Sequence, residues 1–311
     1  MDIQYLLFLQ NFRNGINDAL TPFLESLSLF AVTYLIMFPV LIYWMLDKRS
    51  GLYILCSYYL TNGFNAVVKL TVCAYRPWIR DQRILPAGDA ITTATGYSFP
   101  SGHTSTAGPI YGGMAVSFRK KAKWVSVICV ILFLLTGFSR NYLGVHTPQD
   151  VLVGTFESVL SLILIGRLFR YLDAHPEKEN RFLLISFLFG WAALAYITFK
   201  PYPMTYVDGK LLVDPQRMMN DGYGDICQFI VFPIARFIER KWVRFKPAGF
   251  TGKGIIVCLL GLIPMWAMIN FLCPPLDAAL GSHWGHFMYQ FIFVMFYVTL
   301  WPAVIKAVCG D

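Results

Sequence analysis

Apolar runs long enough to cross a bilayer, separated by short polar breaks, set the pattern of this chain. The first stretch is mixed: leucine, phenylalanine and isoleucine are interrupted by Asn11, Arg13, Asn14, Asn17 and Asp18. That is too polar to span and predicts an amphipathic helix lying in the interface over residues 1–26. Residues 27–46 have the length and apolarity of a spanning helix, which needs about 20 residues. Similar runs cover 51–75, 104–118, 124–138, 148–168, 182–199, 226–238, 254–272 and 287–304. The run at 226–238 is short and holds Gln228 and Arg236, so its crossing is in doubt. Hydropathy therefore gives about nine candidate spans. The segment 78–99 is polar, contains Gly and Pro and has no sustained period, which predicts a surface loop.

These runs predict an all-α, multi-pass transmembrane bundle. A core of about five to six helices over residues 27–172 is followed by about three to four further spans over 182–311, whose role the sequence leaves open. Composition agrees: 56% of the 311 residues are hydrophobic and 14% charged, with mean hydropathy +0.53. Soluble domains carry about 25% charged residues. Residues 1–27 lack a basic start and a small-residue cleavage site, so no removable signal peptide is expected.

The net charge of +8 could suggest nucleic acid. In so apolar a chain it fits cytoplasmic loops better, and there is no basic patch on a soluble fold. If every run crosses, the basic clusters around Lys48 and Arg49, Arg119 to Lys123, Arg167 to Arg181 and Arg240 to Lys253 share one face. That face is expected to be cytoplasmic. The seven cysteines form no CxxC and most sit in apolar runs. Pairing of Cys227 with Cys273 is left open.

Three polar clusters stand on the opposite face. Lys69 and Arg76 are seven residues apart, about two helical turns, and so project to one side. Lys69 lies within an apolar run, where an ionisable side chain is expensive and marks function unless it snorkels to the interface. Pro100-Ser101-Gly102-His103 precedes a helix, with Ser101 placed to cap it and Gly102 open to close approach by a ligand. A helix N-terminus is an anion site. Ser139-Arg140 leads to His146-Thr147-Pro148-Gln149-Asp150, where Thr147 suits the N-cap and Pro148 the first helical position. Asp150 either completes that cap or holds one ring nitrogen of His146 and leaves the other free to attack.

The combination K-x6-R-P, P-S-G-H and S-R-x5-H-x3-D resembles the type 2 phosphatidic acid phosphatase superfamily, which also includes glucose 6-phosphatase and the vanadium haloperoxidases. The resemblance covers 69–150, extending to 51–170 with flanking helices. It implies His146 as nucleophile through a phosphohistidine, Asp150 as its orienting partner and His103 as general acid. It further implies Lys69, Arg76, Arg140, Ser101 and the Gly102 amide as phosphate ligands, with neither metal nor other cofactor. Three cations and a helix N-terminus are chemically sufficient to stabilise charge on phosphoryl oxygens.

The expected protein is a membrane lipid phosphate or diphosphate phosphatase with its site at the outer face. A lipid phosphotransferase, a glucose 6-phosphatase-like enzyme and a non-catalytic transporter or scaffold are the alternatives. The small-residue face of 104–118 is one candidate route for a lipid tail, close helix packing being the other explanation. His283 and His286 form an H-x-x-H pair with no third ligand nearby in sequence, which favours interfacial residues over a metal site. Asp208, Asp214, Asp221 and Asp225 are placed in an outer loop from 200 to 225.

Overall fold

The computed structural model describes residues 1–94, 96–207 and 209–310, so Asp208 lies outside the described residues. Helix α1 (Asp2–Gly15) is followed by α2 (Thr21–Thr33), α3 (Met37–Leu46), α4 (Lys48–Val72) and the short α5 (Pro77–Arg80). Then come α6 (Gly102–Phe118), α7 (Lys123–Tyr142), α8 (Pro148–Ala174) and α9 (Glu179–Phe199). A hairpin of two-residue strands, β1 (Tyr206–Val207) and β2 (Lys210–Leu211), precedes α10 (Pro215–Ile238). Helices α11 (Gly252–Phe271), α12 (Cys273–Leu280), α13 (Ser282–Met295) and α14 (Trp301–Cys309) complete the all-α bundle.

Among the described residues, five helices are long and apolar enough to cross a membrane, with Ser282–Cys309 counted as one run, and α2 with α3 make a sixth span bent by 46°. This corrects the expected helix over 27–46: it starts at Thr21 and breaks near Tyr34. Helix α6, at 17 residues, falls just short of that length, and α4 and α10 are not apolar enough, for a structural reason. Helices α4 and α10 pack in the middle of the bundle against each other, so their inward polar side chains need not face lipid. Helix α10 begins at Pro215, after the cap from Asp214, so the doubtful run is the end of a helix of 24 residues. Asp221 and Asp225 belong to this helix rather than to a loop.

The two ends of α4 differ in chemistry. At its start Lys48 donates to buried Glu239 at 2.5 Å, and Glu239 also accepts from Arg236 at 2.5 Å. Arg236 and Arg240 pair with Glu179, and Arg49 pairs with Asp173. Lys69 stands near the other end, 21 residues along, about 32 Å away at the rise of a helix. Helix α10 runs between the same two ends, with Asp225 near one and Arg236 near the other, and so traverses the bundle.

The expected gap along α6 is closed. A Cβ on Gly108 would meet Ser158 at 2.3 Å, one on Gly112 would meet Leu162 at 2.7 Å, and one on Gly113 would meet Ile54 at 2.8 Å. The small residues let α8 and α4 approach, so this face is no tail route. Segment 78–99 also differs from a plain solvated loop. Ala87, Ala90 and Ala94 pack with Leu24, Tyr142 and Leu143 in a small second core. Helix α1 lies across this segment: Arg13 donates to the carbonyls of Leu85 and Tyr142, and Arg80 pairs with Asp2. Tyr5, Phe8 and Phe12 remain exposed on α1, as an interfacial helix requires. All seven cysteines are free, so Cys227 and Cys273 are not joined.

Candidate active site

The site forms where helix ends meet beneath the 78–99 segment. Ser101 caps α6, accepting from the Thr104 amide at 3.4 Å. Thr147 and Asp150 form a reciprocal capping box on α8, with Pro148 in the first turn. Helix α4 ends on Cys73 in a left-handed conformation (φ 52°), which turns the chain into Arg76-Pro77. These local rules bring Lys69, Arg76, Gly102, His103 and His146 to the lining of one cavity of about 390 Å³.

His146 is buried and fixed from both sides. Its Nδ1 lies 3.2 Å from Asp150 Oδ2, and its Nε2 lies 2.8 Å from Arg76 Nη1. A guanidinium only donates, so Nε2 must carry the lone pair and Nδ1 the proton. Burial, and next the Arg76 cation, push His146 well below the ordinary imidazole range, while Asp150 opposes them. A neutral imidazole with its lone pair on Nε2 is the protonation state a nucleophile needs.

Asp150 performs both tasks that the sequence offered as alternatives. Its Oδ2 accepts from the Thr147 amide at 2.8 Å as a cap and faces His146 Nδ1 as an orienting group. The same oxygen accepts from Ser98 Oγ at 2.6 Å. Sequence reasoning missed Ser98, because it lies 52 residues from Asp150 in an irregular segment. Gly96 was missed for the same reason: its carbonyl accepts from Arg76 Nε at 3.1 Å.

The remaining expected residues are close but differ in readiness. Lys69 Nζ donates to the Pro100 carbonyl at 2.5 Å and to the Tyr97 carbonyl at 3.3 Å. It therefore holds the loop as well as lining the cavity. Arg140 is buried and donates through Nη1 to Ser28 at 2.7 Å, while its Nε and Nη2 have no partner among the described residues. Nε2 of His103, also buried, has none either. His103 lines the same cavity as Lys69, Arg76 and His146. Ser101 Oγ is engaged with Thr104 and is fully buried, so its structural work is capping. A Cβ on Gly102 would meet nothing within 4 Å, which leaves this backbone open to the cavity.

Comparison with known proteins places this geometry. The PAP2 superfamily model matches residues 50–174. Over this stretch the chain is similar to that superfamily. The stretch takes in every residue described above that lines the cavity or touches His146. Its relatives include phosphatidylglycerophosphatase B of Bacillus subtilis, 32% identical over 34% of this chain and 52% of that protein. An undecaprenyl-diphosphatase of Sulfolobus acidocaldarius is 27% identical over 34% of this chain and 49% of its own length. Lipid phosphate phosphatase delta of Arabidopsis thaliana is 28% identical over 65% of this chain, beyond the matched stretch, and 49% of its own length. The chain spans about half the length of these curated relatives. No solved structure matches.

The cavity also draws on helices beyond the matched stretch. Asp221 and Asp225 of α10 and Tyr289 and Phe293 of α13 line it. Val32 of α2 and Ile36, at the break between α2 and α3, supply an apolar wall, with Ile269 of α11.

Proposed function

We propose that this protein is a membrane-embedded lipid phosphate or diphosphate phosphatase that works through a phosphohistidine at His146. The observation carrying this reading is the Asp150–His146–Arg76 line beside buried nitrogens of His103 and Arg140 that have no partner among the described residues. Unpaired buried donors cost roughly 1–3 kcal/mol each, and more when charged, so such a cluster suits an anionic ligand. The relatives' names, which cover phosphomonoester and diphosphate lipids, support the same class.

In this mechanism the phosphate displaces Arg76 from Nε2 and takes the guanidinium as its own ligand. The Nε2 lone pair attacks phosphorus, a P–N bond forms and the P–O bond to the leaving group breaks. His103 enters protonated and gives its proton to the departing oxygen. The proton stays on Nδ1 and is donated to the Asp150 carboxylate, whose charge balances the one that develops on the ring. Water then attacks phosphorus, His103 takes its proton, the P–N bond breaks and inorganic phosphate leaves. Arg76, Arg140, Lys69 and the Gly102 amide stabilise the equatorial oxygens in both steps, with no step assigned to a metal.

The site is proposed to face the outside of the membrane. The basic clusters at the Lys48 end of the bundle support this orientation, because positive residues favour the cytoplasm. The apolar wall of Val32, Ile36, Ile269 and Phe293 is the proposed seat for the first part of the lipid tail. Each CH₂ kept from water is worth about 0.8 kcal/mol. The test compares kcat/KM of the purified protein in detergent for a long-chain lipid phosphate, its short-chain analogue and glucose 6-phosphate. The long-chain substrate is expected to lead. Equal turnover of the soluble sugar phosphate would reject the lipid reading.

A further inference from the structure

Outside the His146 centre, three side chains of different chemistry converge where α12 folds back on α13. Cys273 and Asp277 are one helical turn apart on α12 and share a face. Cys273 Sγ lies 3.7 Å from Asp277 Oδ1 and 3.8 Å from His286 Nδ1 of α13. His286 Nδ1 lies 3.1 Å from Asp277 Oδ1. Gly285 permits this approach: a Cβ there would meet Asp277 Oδ1 at 2.1 Å.

We propose that Cys273, Asp277 and His286 form a binding site for one zinc ion, separate from the phosphate cradle. Zinc bonds of about 2.3 Å to sulfur and about 2.0–2.2 Å to nitrogen and oxygen, in a tetrahedron, put the donor atoms about 3.2–3.6 Å apart. The three observed spacings need to change by only a few tenths of an ångström. A thiolate, an imidazole and a carboxylate together select a borderline divalent metal over magnesium or calcium, which take oxygen ligands. The thiolate and carboxylate carry two negative charges that a divalent ion neutralises.

Binding requires two proton changes. The Cys273 thiol releases its proton to solvent as the S–Zn bond forms. His286 Nδ1 donates to the Ser282 carbonyl at 2.9 Å without metal, so the ring must shift to the Nε2–H tautomer to offer Nδ1 as ligand. The fourth position is left to water, and His286 stands in the wall of the same cavity as His146. The ion would pin α12 to α13 and place a cation on the cavity wall. It is given no part in P–O cleavage, so the site stands or falls apart from the reaction at His146.

The test uses the full chain purified in detergent, stripped of metal and reloaded with zinc or cobalt. One zinc per chain is expected, and cobalt should give the absorption of a tetrahedral ion with a thiolate ligand. Asp277→Asn is expected to lose at least roughly ten-fold in zinc affinity, since even outer-shell losses cost roughly 10–100-fold. C273S should abolish the thiolate band, and H146A should leave metal content unchanged. A second measurement guards against misfolded variants: in a chain whose other six cysteines are replaced, zinc should slow alkylation of Cys273. Absence of stoichiometric zinc, an unchanged cobalt spectrum in C273S, or alkylation indifferent to zinc would each overturn the proposal.

Discussion

Arg76 Nη1 lies 2.8 Å from His146 Nε2, the nitrogen proposed to attack phosphorus. The cation that is to hold the phosphate thus guards the nucleophile before substrate arrives, and its charge helps keep the ring neutral. Its removal makes protonation of His146 easier. The acid limb of the rate profile, which lies below the ordinary imidazole range while Arg76 is present, should move to higher pH in Arg76→Gln. Loss of one charge-stabilising donor should also lower kcat by about 10²–10³-fold. The pH dependence of kcat/KM for both proteins checks the sign. An acid limb that stays in place would separate Arg76 from the titration of His146.

Asp150 and Ser98 should behave differently although both belong to one hydrogen-bonded line to His146. Asp150→Asn removes the acceptor for Nδ1–H, and loss of an orienting carboxylate in a triad costs on the order of 10⁴-fold in kcat. It also weakens the capping box of α8, worth about 1 kcal/mol. Ser98→Ala leaves the carboxylate in place and should cost far less activity. Removing the Ser98 donor should shift the pH profile, because the hydroxyl stabilises the carboxylate that faces His146. Rate profiles and thermal melts of the two variants distinguish orientation from folding.

The orientation of the site is checked by labelling. With native cysteines replaced, Asp89→Cys and Lys121→Cys place single thiols on exposed positions at opposite ends of the bundle. A membrane-impermeant reagent applied to intact cells should label position 89 and spare position 121. The reverse pattern would invert the topology.

Glu239 should be the most sensitive residue at the far end. It is fully buried and answers both Lys48 and Arg236. Glu239→Gln leaves cations without their counter-charge, and breaking a buried pair costs about 3–5 kcal/mol. A fall in melting temperature without a shift in the pH profile is expected, since the pair lies a helix length from His146.

The site was legible in sequence where it is built locally. Each cluster lies at a helix end, and the capping rules that fix Ser101, Thr147 and Asp150 act over three or four residues. The polar helices were harder. Helix α10 appeared as a short, doubtful run because hydropathy assumes lipid around every helix, whereas α10 packs on α4, α9 and α13. Ser98, Gly96 and the Cys273–Asp277–His286 group were invisible because their partners come together only when the chain folds. With no third ligand near them in sequence, His283 and His286 read as interfacial; in the fold His283 faces the Gln216 carbonyl, while His286 meets Cys273 and Asp277 of α12.

The central claim is the covalent intermediate, and trapping it is the most direct test. Purified protein is mixed with phosphate-labelled long-chain lipid phosphate, quenched within the first turnover and digested for peptide mapping. An acid-labile, base-stable phosphoryl group is expected on His146, absent in His146→Ala, and accumulating in His103→Ala when the substrate has a good leaving group. Turnover by a His146→Ala protein, or a trapped phosphoryl group on any other residue, would contradict it.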